Sequence, residues 1–226
     1  MLHRPMSDAA PRFVVINHTA ANIHSVAKAL ERCGADTVVS SSPADLAAAD
    51  GAVLPGVGAS DAAMRALDRL GLIDPIKEFA ASGRPLLGVC LGMQLLFEKS
   101  DEGDLPGLGL IQGEVVRLPR NGGRLKIPHM GWNSVAFTGD SEVRHPVFSG
   151  LPQDGYFYFV HSYVCRPTDA RDIAATTHYG SEICAAVARG EIVATQFHPE
   201  KSQALGLRIY RNFVRHVAQR AARVAS

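Results

Sequence analysis

The sequence has little of what would tie it to a specialised environment. Its four cysteines, Cys33, Cys90, Cys165 and Cys184, are scattered through 226 residues. With no CxxC pair and no histidine at zinc-ligand spacing, they argue against a disulfide scaffold or a structural zinc and for reduced thiols. Charge of one sign is missing: 23 Lys and Arg against 22 Asp and Glu leave a formal net charge of +1. No strong field therefore draws the chain to nucleic acid or an anionic membrane. No run of about 18 apolar residues could span a bilayer, and the opening MLHRPMSDAAPR has no apolar centre of a secretory signal. These absences predict a cytoplasmic protein without nucleic-acid or membrane partners, in which residues 1–11 are a loose extension.

Hydrophobic residues make up 46% of the chain, enough at this length to bury a core without disulfides or metals. The runs RFVVIN, TVVS, GAVLPG and RPLLGV, beginning at Arg12, Thr37, Gly51 and Arg84, are continuously apolar rather than alternating. That pattern suits parallel strands covered on both faces. Between the first two, Ile23, Val26, Ala27 and Leu30 keep helical spacing and Gly34 can end the helix in the left-handed region. Residues 12–98 thus read as repeated βα units of a doubly wound α/β sheet. After Glu98, the Gly- and Pro-punctuated stretches GEVVRLP, NSVAFTG and YFYFVHSYVCRP predict antiparallel strands added to that core. Leu205, Ile209, Phe213 and Val217 mark a closing helix that packs back on the sheet. With no repeat, linker or low-complexity tract, residues 12–222 form one domain.

In GVCLGMQLLFE, Gly88 to Glu98, the residues Gly88, Cys90 and Gly92 form G-x-C-x-G. This is the thiol counterpart of the nucleophile elbow, a strained strand-to-helix turn that pushes a nucleophile out at the carboxyl end of a strand. A helix N-terminus at that corner favours thiolate over thiol. A free cysteine is also commonly a small buried hydrophobe, so the pattern alone leaves both readings open. In QFHPE, Gln196 to Glu200, Pro199 biases His198 toward extended backbone, which sets His198 and Glu200 side by side. A carboxylate there orients the imidazole and steadies its charged form. Cys90 as nucleophile, His198 as base and Glu200 as orienter make a Cys-His-Glu triad. PGVGA follows an apolar strand as an oxyanion loop should, so the backbone of Gly56, Val57 and Gly58 can act with the N–H of Leu91. Phosphate binding is the rival reading, but the P-loop lysine and the full dinucleotide fingerprint are lacking.

The order and spacing of these motifs resemble the class I, triad-type glutamine amidotransferase family over nearly the whole chain. IPHMGWN, YFYFVHSY, NIHSV and GLGLIQGEVVRL are similar to stretches of the glutaminase subunits of imidazole glycerol phosphate synthase. The resemblance implies a flavodoxin-like α/β fold with a central, mostly parallel sheet flanked by helices and extended by antiparallel strands. It implies hydrolysis of glutamine to glutamate and ammonia through a glutamyl thioester. The ammonia would pass to a (β/α)8 cyclase subunit that makes imidazole glycerol phosphate and AICAR in histidine biosynthesis.

By the same resemblance, Gln94, Glu102 and the backbone around His161, Ser162 and Tyr163 meet the glutamine. Met130, Trp132 and Asn133 face the cyclase, while Lys201, read from its place directly after Glu200, is either a cation of that interface or merely solvated. No metal or organic cofactor is implied. Taken as bare residues, Glu102 reads equally as a solvated charge and Trp132 as a core aromatic. His129 has no catalytic claim, since nothing near it in sequence supplies a base's partner, and His3, His24, His145 and His216 read as surface residues. The family's usual Asp-Tyr-Gly-x-Gly-Asn loop is here NHTAAN, Asn17 to Asn22, with both glycines lost. The same chemistry feeding another synthase, and a non-catalytic scaffold on the same fold, are the competing readings.

Overall fold

Strand β1 (Arg12–Ile16) shows why the early apolar runs do not alternate. Phe13 and Val15 enter one hydrophobic cluster with helices α1 (Ile23–Glu31) and α6 (Gln203–Ala225). Val14 and Ile16 enter a second, with α3 (Ser60–Arg69) and α4 (Ile73–Ala81). Both faces of the strand are covered, so both sets of side chains must be apolar. This computed structural model describes residues 11–18, 23–119, 125–139 and 144–225. The extension expected over residues 1–11, Pro11 apart, with His3 in it, and residues 19–22 of the altered loop, Asn22 included, lie outside them.

Among the described residues the main sheet has nine strands. Its parallel half runs β2 (Asp36–Ser40), β1, β3 (Gly51–Gly56), β4 (Leu86–Cys90) and β12 (Ile192–Thr195). The antiparallel half continues with β11 (Glu182–Arg189), β10 (Ile173–His178), β7 (His129–Phe137) and β8 (Gly155–His161) at the edge. A smaller sheet joins β5 (Lys99–Ser100), β6 (Gly113–Arg117) and β9 (Tyr163–Pro167). The stretch YFYFVHSYVCRP therefore divides at Ser162 between two sheets. In β8, buried Phe157 and Phe159 alternate with outward Tyr156 and Tyr158. The helices follow their apolar periodicity: Ile23, Val26, Ala27 and Leu30 are buried, and Gly34 has φ +87° where α1 ends. In α6, Ile209, Phe213 and Val217 are buried against the sheet. Among the described residues no helix is long and apolar enough to cross a membrane.

This order puts β3, β4 and β12 side by side. Gly56 lies opposite Cys90, and Thr195 opposite Val89. Their carboxyl ends therefore bring together the glycine loop, the cysteine corner and the chain leading to His198, where open α/β sheets bind ligands.

Candidate active site

Cys90 ends β4 with φ 54° and ψ −110°, a strained backbone for a residue with a side chain. The corner closes because Gly92 has none: a Cβ there would lie 1.8 Å from the Leu54 carbonyl oxygen. The helix after it, α5, is only one turn, Leu91–Gln94. Beyond Leu95 the chain turns away, and the N–H groups of Gly107, Leu108, Gly109 and Leu110 bond to carbonyls of Glu98, Leu95, Phe97 and Leu96. So short a helix carries little macrodipole, which corrects the expected electrostatic help from its N-terminus.

His198 has extended backbone, φ −99° and ψ 99°, as Pro199 dictates. Its N–H donates to the Tyr158 carbonyl at 2.9 Å, and the Ser202 hydroxyl donates to its carbonyl at 2.7 Å. The ring Nδ1 lies 2.8 Å from Glu200 Oε1, with both side chains buried, and the Tyr210 hydroxyl reaches Glu200 Oε2 at 3.5 Å. Nε2 is buried and makes no hydrogen bond of good geometry. Burial opposes charge on His198, but Cys90 and then Glu200 outweigh it and raise the pKa from 6.5 to about 9.

A cavity of about 370 Å³ opens over this pair, lined by Val57, Gly58, Cys90, Leu91, Gln94, Glu102, His161, Ser162, Tyr163 and His198, with Pro128 and Val160. The residues expected to meet glutamine are thus gathered at one place. Gly56 lies against Leu91, where a Cβ would come within 2.9 Å of the leucine Cβ, and Glu200 stands behind His198. Glu102 is no solvated charge: its Oε2 accepts the Ser60 N–H at 2.8 Å. It supplies the cap that Ala59 cannot give to α3.

Three groups near the cavity carry no signal of their own in the sequence. His129 and His161 are cross-strand partners of β7 and β8, with His129 Nδ1 2.9 Å from His161 Nε2. His161 Nδ1 is 2.8 Å from the Tyr163 carbonyl, which only accepts. Its Nε2 must then accept from His129 Nδ1–H, and His129 Nε2 from Asn133 Nδ2–H at 3.3 Å. Burial keeps both rings neutral, lowering His129 to about 4 and His161 to about 3. His129, given no catalytic role from the sequence, is fixed on both sides by His161 and Asn133. The Asn133 amide also donates to the His178 carbonyl at 3.0 Å. His18, in the altered loop, lies with Nε2 2.7 Å from the Pro55 carbonyl beside the glycine loop. The third group is Gln196, buried next to Cys90.

His145 and His216, expected at the surface, are half-buried and form the one cluster among the described residues with metal-ligand composition, together with Glu191. It is closed by its own contacts. His216 Nε2 is 2.7 Å from Glu191 Oε2, Arg220 approaches the other oxygen at 3.5 Å, and His145 bonds to the Val147 N–H and to the Gly190 carbonyl.

Outside the cavity, Met130, Trp132 and Tyr156 are 63%, 47% and 61% exposed on the outer face of β7 and β8. Trp132 is therefore not a core residue. The strand register puts it opposite outward Tyr158, against which it packs edge-on at 6.1 Å. Lys201, also exposed, holds its Nζ 5.6 Å from the Tyr158 ring centre. Trp132, Tyr158 and Lys201 thus form one aromatic and cationic group on this face.

The model for the family "Glutamine amidotransferase class-I" matches residues 14–217. An imidazole glycerol phosphate synthase subunit HisH of Synechococcus sp. (strain JA-3-3Ab) is 48% identical over 212 residues, covering 93% of this chain and 96% of its own. The HisH subunit of Aromatoleum aromaticum is 47% identical over 217 residues, 92% of this chain and 98% of its own. Among solved structures, PurLQS of Thermotoga maritima has the same fold, with TM-score 0.69 at 17% identity over 92% of this chain and 99% of that one. The matched span, and near-half identity over almost full length, place this chain in the class-I glutamine amidotransferase family, among the HisH subunits of imidazole glycerol phosphate synthase.

Proposed function

We propose that the chain is the glutaminase subunit of an imidazole glycerol phosphate synthase, a cytoplasmic protein that hydrolyses glutamine and passes ammonia to a (β/α)8 cyclase subunit. The observation that carries the chemistry is a buried imidazole, held by a carboxylate, sharing one cavity with a cysteine on a strained corner. The choice of synthase rests on the near-full-length similarity to HisH subunits.

In this reading Cys90 Sγ attacks the side-chain carbonyl carbon of glutamine. The amides of Leu91 and of the Gly56, Val57 and Gly58 loop receive the oxyanion. The His198 imidazolium, steadied by Glu200, gives its proton to the departing nitrogen, so ammonia leaves and a glutamyl thioester remains. Water then gives a proton to His198 and bonds to the carbonyl carbon, and the C–S bond breaks with its electron pair returning to sulfur. Both Gln94 amide hydrogens are committed, to the Tyr163 carbonyl at 3.2 Å and to Gln196 Oε1 at 3.0 Å. Its carbonyl oxygen is left to accept from the ammonium end of glutamine, and Glu102 Oε1 to serve the same end.

The exposed patch is the proposed cyclase face. Met130 lies opposite Val160, a residue of the cavity wall, so the patch adjoins the place where ammonia forms. Trp132→Ala is expected to weaken docking by about 2 kcal/mol, roughly 30-fold in Kd, as removal of an interface anchor does. Titration calorimetry with the cyclase measures it, and an unchanged Kd would put the interface elsewhere. The function itself is tested by feeding glutamine to mixtures of this chain with its cognate cyclase or with another amidotransferase-dependent synthase. Imidazole glycerol phosphate from the first mixture alone is expected. Ammonia transfer only to the other synthase would overturn the assignment.

A further inference from the structure

The one-turn α5 leaves the sulfur of Cys90 with little help from a helix dipole. A different donor faces it. Gln196 follows β12, is fully buried, and is pinned by its backbone N–H to the Ala185 carbonyl at 2.8 Å. Its Nε2 is 3.7 Å from Cys90 Sγ, and its Oε1 is 3.0 Å from Gln94 Nε2.

The orientation of both carboxamides is forced. The Tyr163 carbonyl can only accept, so Gln94 must turn its amino group toward it. The second hydrogen of that amino group needs an acceptor, which fixes the Gln196 oxygen toward Gln94. The Gln196 amino group is then left facing sulfur.

We propose that Gln196 is a catalytic residue, a sulfur-facing donor aimed by Gln94; the proposal rests on the glutaminase reading. Its work comes when the thioester is hydrolysed. Water gives one proton to His198 and its oxygen bonds to the glutamyl carbon. The C–S bond breaks, and both electrons go to Sγ. Negative charge grows there inside a water-poor site, and the Gln196 N–H meets it without transferring a proton. Gln94, which meets the substrate's amino-acid end, thereby also sets the donor at the reacting sulfur.

The test is Gln196→Met in the complex with the cyclase, since methionine nearly fills the same volume without a donor. With glutamine, kcat is expected to fall about 10- to 100-fold, less than the roughly 10²–10³ for a lost oxyanion donor, because N–H···S is longer and weaker. The glutamyl thioester should build up in acid-quenched protein examined by intact mass. Ammonia-driven turnover by the same complex reports that it is folded and docked. A kcat within twofold of the unsubstituted complex, or a fall in kcat with no thioester accumulation, would overturn the proposal. Should the variant not fold, ¹⁵N spectra of the unsubstituted chain decide: alkylation of Cys90 should shift the Gln196 side-chain amide, and an unmoved resonance would refute the contact. An unsubstituted complex that does not hydrolyse glutamine would remove the glutaminase reading, and this proposal with it.

Discussion

Cys90→Ala, in complex with the cyclase, is expected to lower glutamine-driven formation of imidazole glycerol phosphate by roughly 10³-fold or more, as loss of a nucleophile does, while ammonia-driven formation continues. The substitution is small. Alanine keeps the Cβ and the backbone demands of the corner, while the sulfur goes, and with it its contacts with Gln196 and the Val160 carbonyl and its coupling to His198. The cyclase chemistry on added ammonia never passes through this cavity in the proposed reaction. Parallel assays with glutamine and with an ammonium salt separate the two. Loss of both activities would give Cys90 a structural role instead, as a small buried group in the core cluster it touches.

The second large effect is expected from Glu200→Gln, a drop of about 10²–10⁴ in glutamine-driven kcat, by analogy with neutralising the orienting carboxylate of a triad. The amide retains the shape but can present its amino group to His198 Nδ1, which then cannot be the protonated nitrogen, and it removes the charge that steadies the imidazolium. The variant should also lose a pH signature. His198 titrates at about 9 in the folded protein against an ordinary 6.5. A raised folded-state value stabilises the fold fully below pH 6.5, and that stability is lost as pH rises through about 9. Denaturant unfolding from pH 6 to 10 should therefore show stability falling across this window, and falling less in Glu200→Gln. Equal slopes in the two proteins would mean that the carboxylate does not hold the charge on His198.

The parts of the site readable in the sequence are those set by local backbone rules. His198 and Glu200 are two residues apart across a proline, and extended geometry alone brings them together. Gly92 marks the corner because its missing side chain admits the Leu54 carbonyl. The parallel core was legible in the same way, since strands such as β1 are apolar on both faces. What escaped depends on distant register. His129 finds His161, 32 residues away, only because β7 and β8 pair in one particular alignment. Gln196 reaches Cys90, 106 residues away, only because β12 lies beside β4.

The outward position of Trp132 likewise follows from strand alternation opposite Tyr158, not from its composition, which favours a core. The single-turn length of α5 escaped for another reason. The apolar periodicity of residues 91–97 suits a longer helix, but the backbone of residues 107–110 claims the carbonyls of Leu95, Leu96, Phe97 and Glu98. Tertiary hydrogen bonding decides there against local preference. That decision leaves Cys90 little help from a helix dipole and gives weight to the proposed role of the buried Gln196 amide.

In the proposed function, Cys90, His198 and Glu200 form a glutaminase whose output is tied to a cyclase partner. It is tested most directly by glutamate release from glutamine, measured on the purified chain alone and again with the cyclase and its nucleotide substrate. Slow release alone and a large rise on adding both is the predicted result. No glutamate in either condition, with the complex shown to have formed, would contradict it.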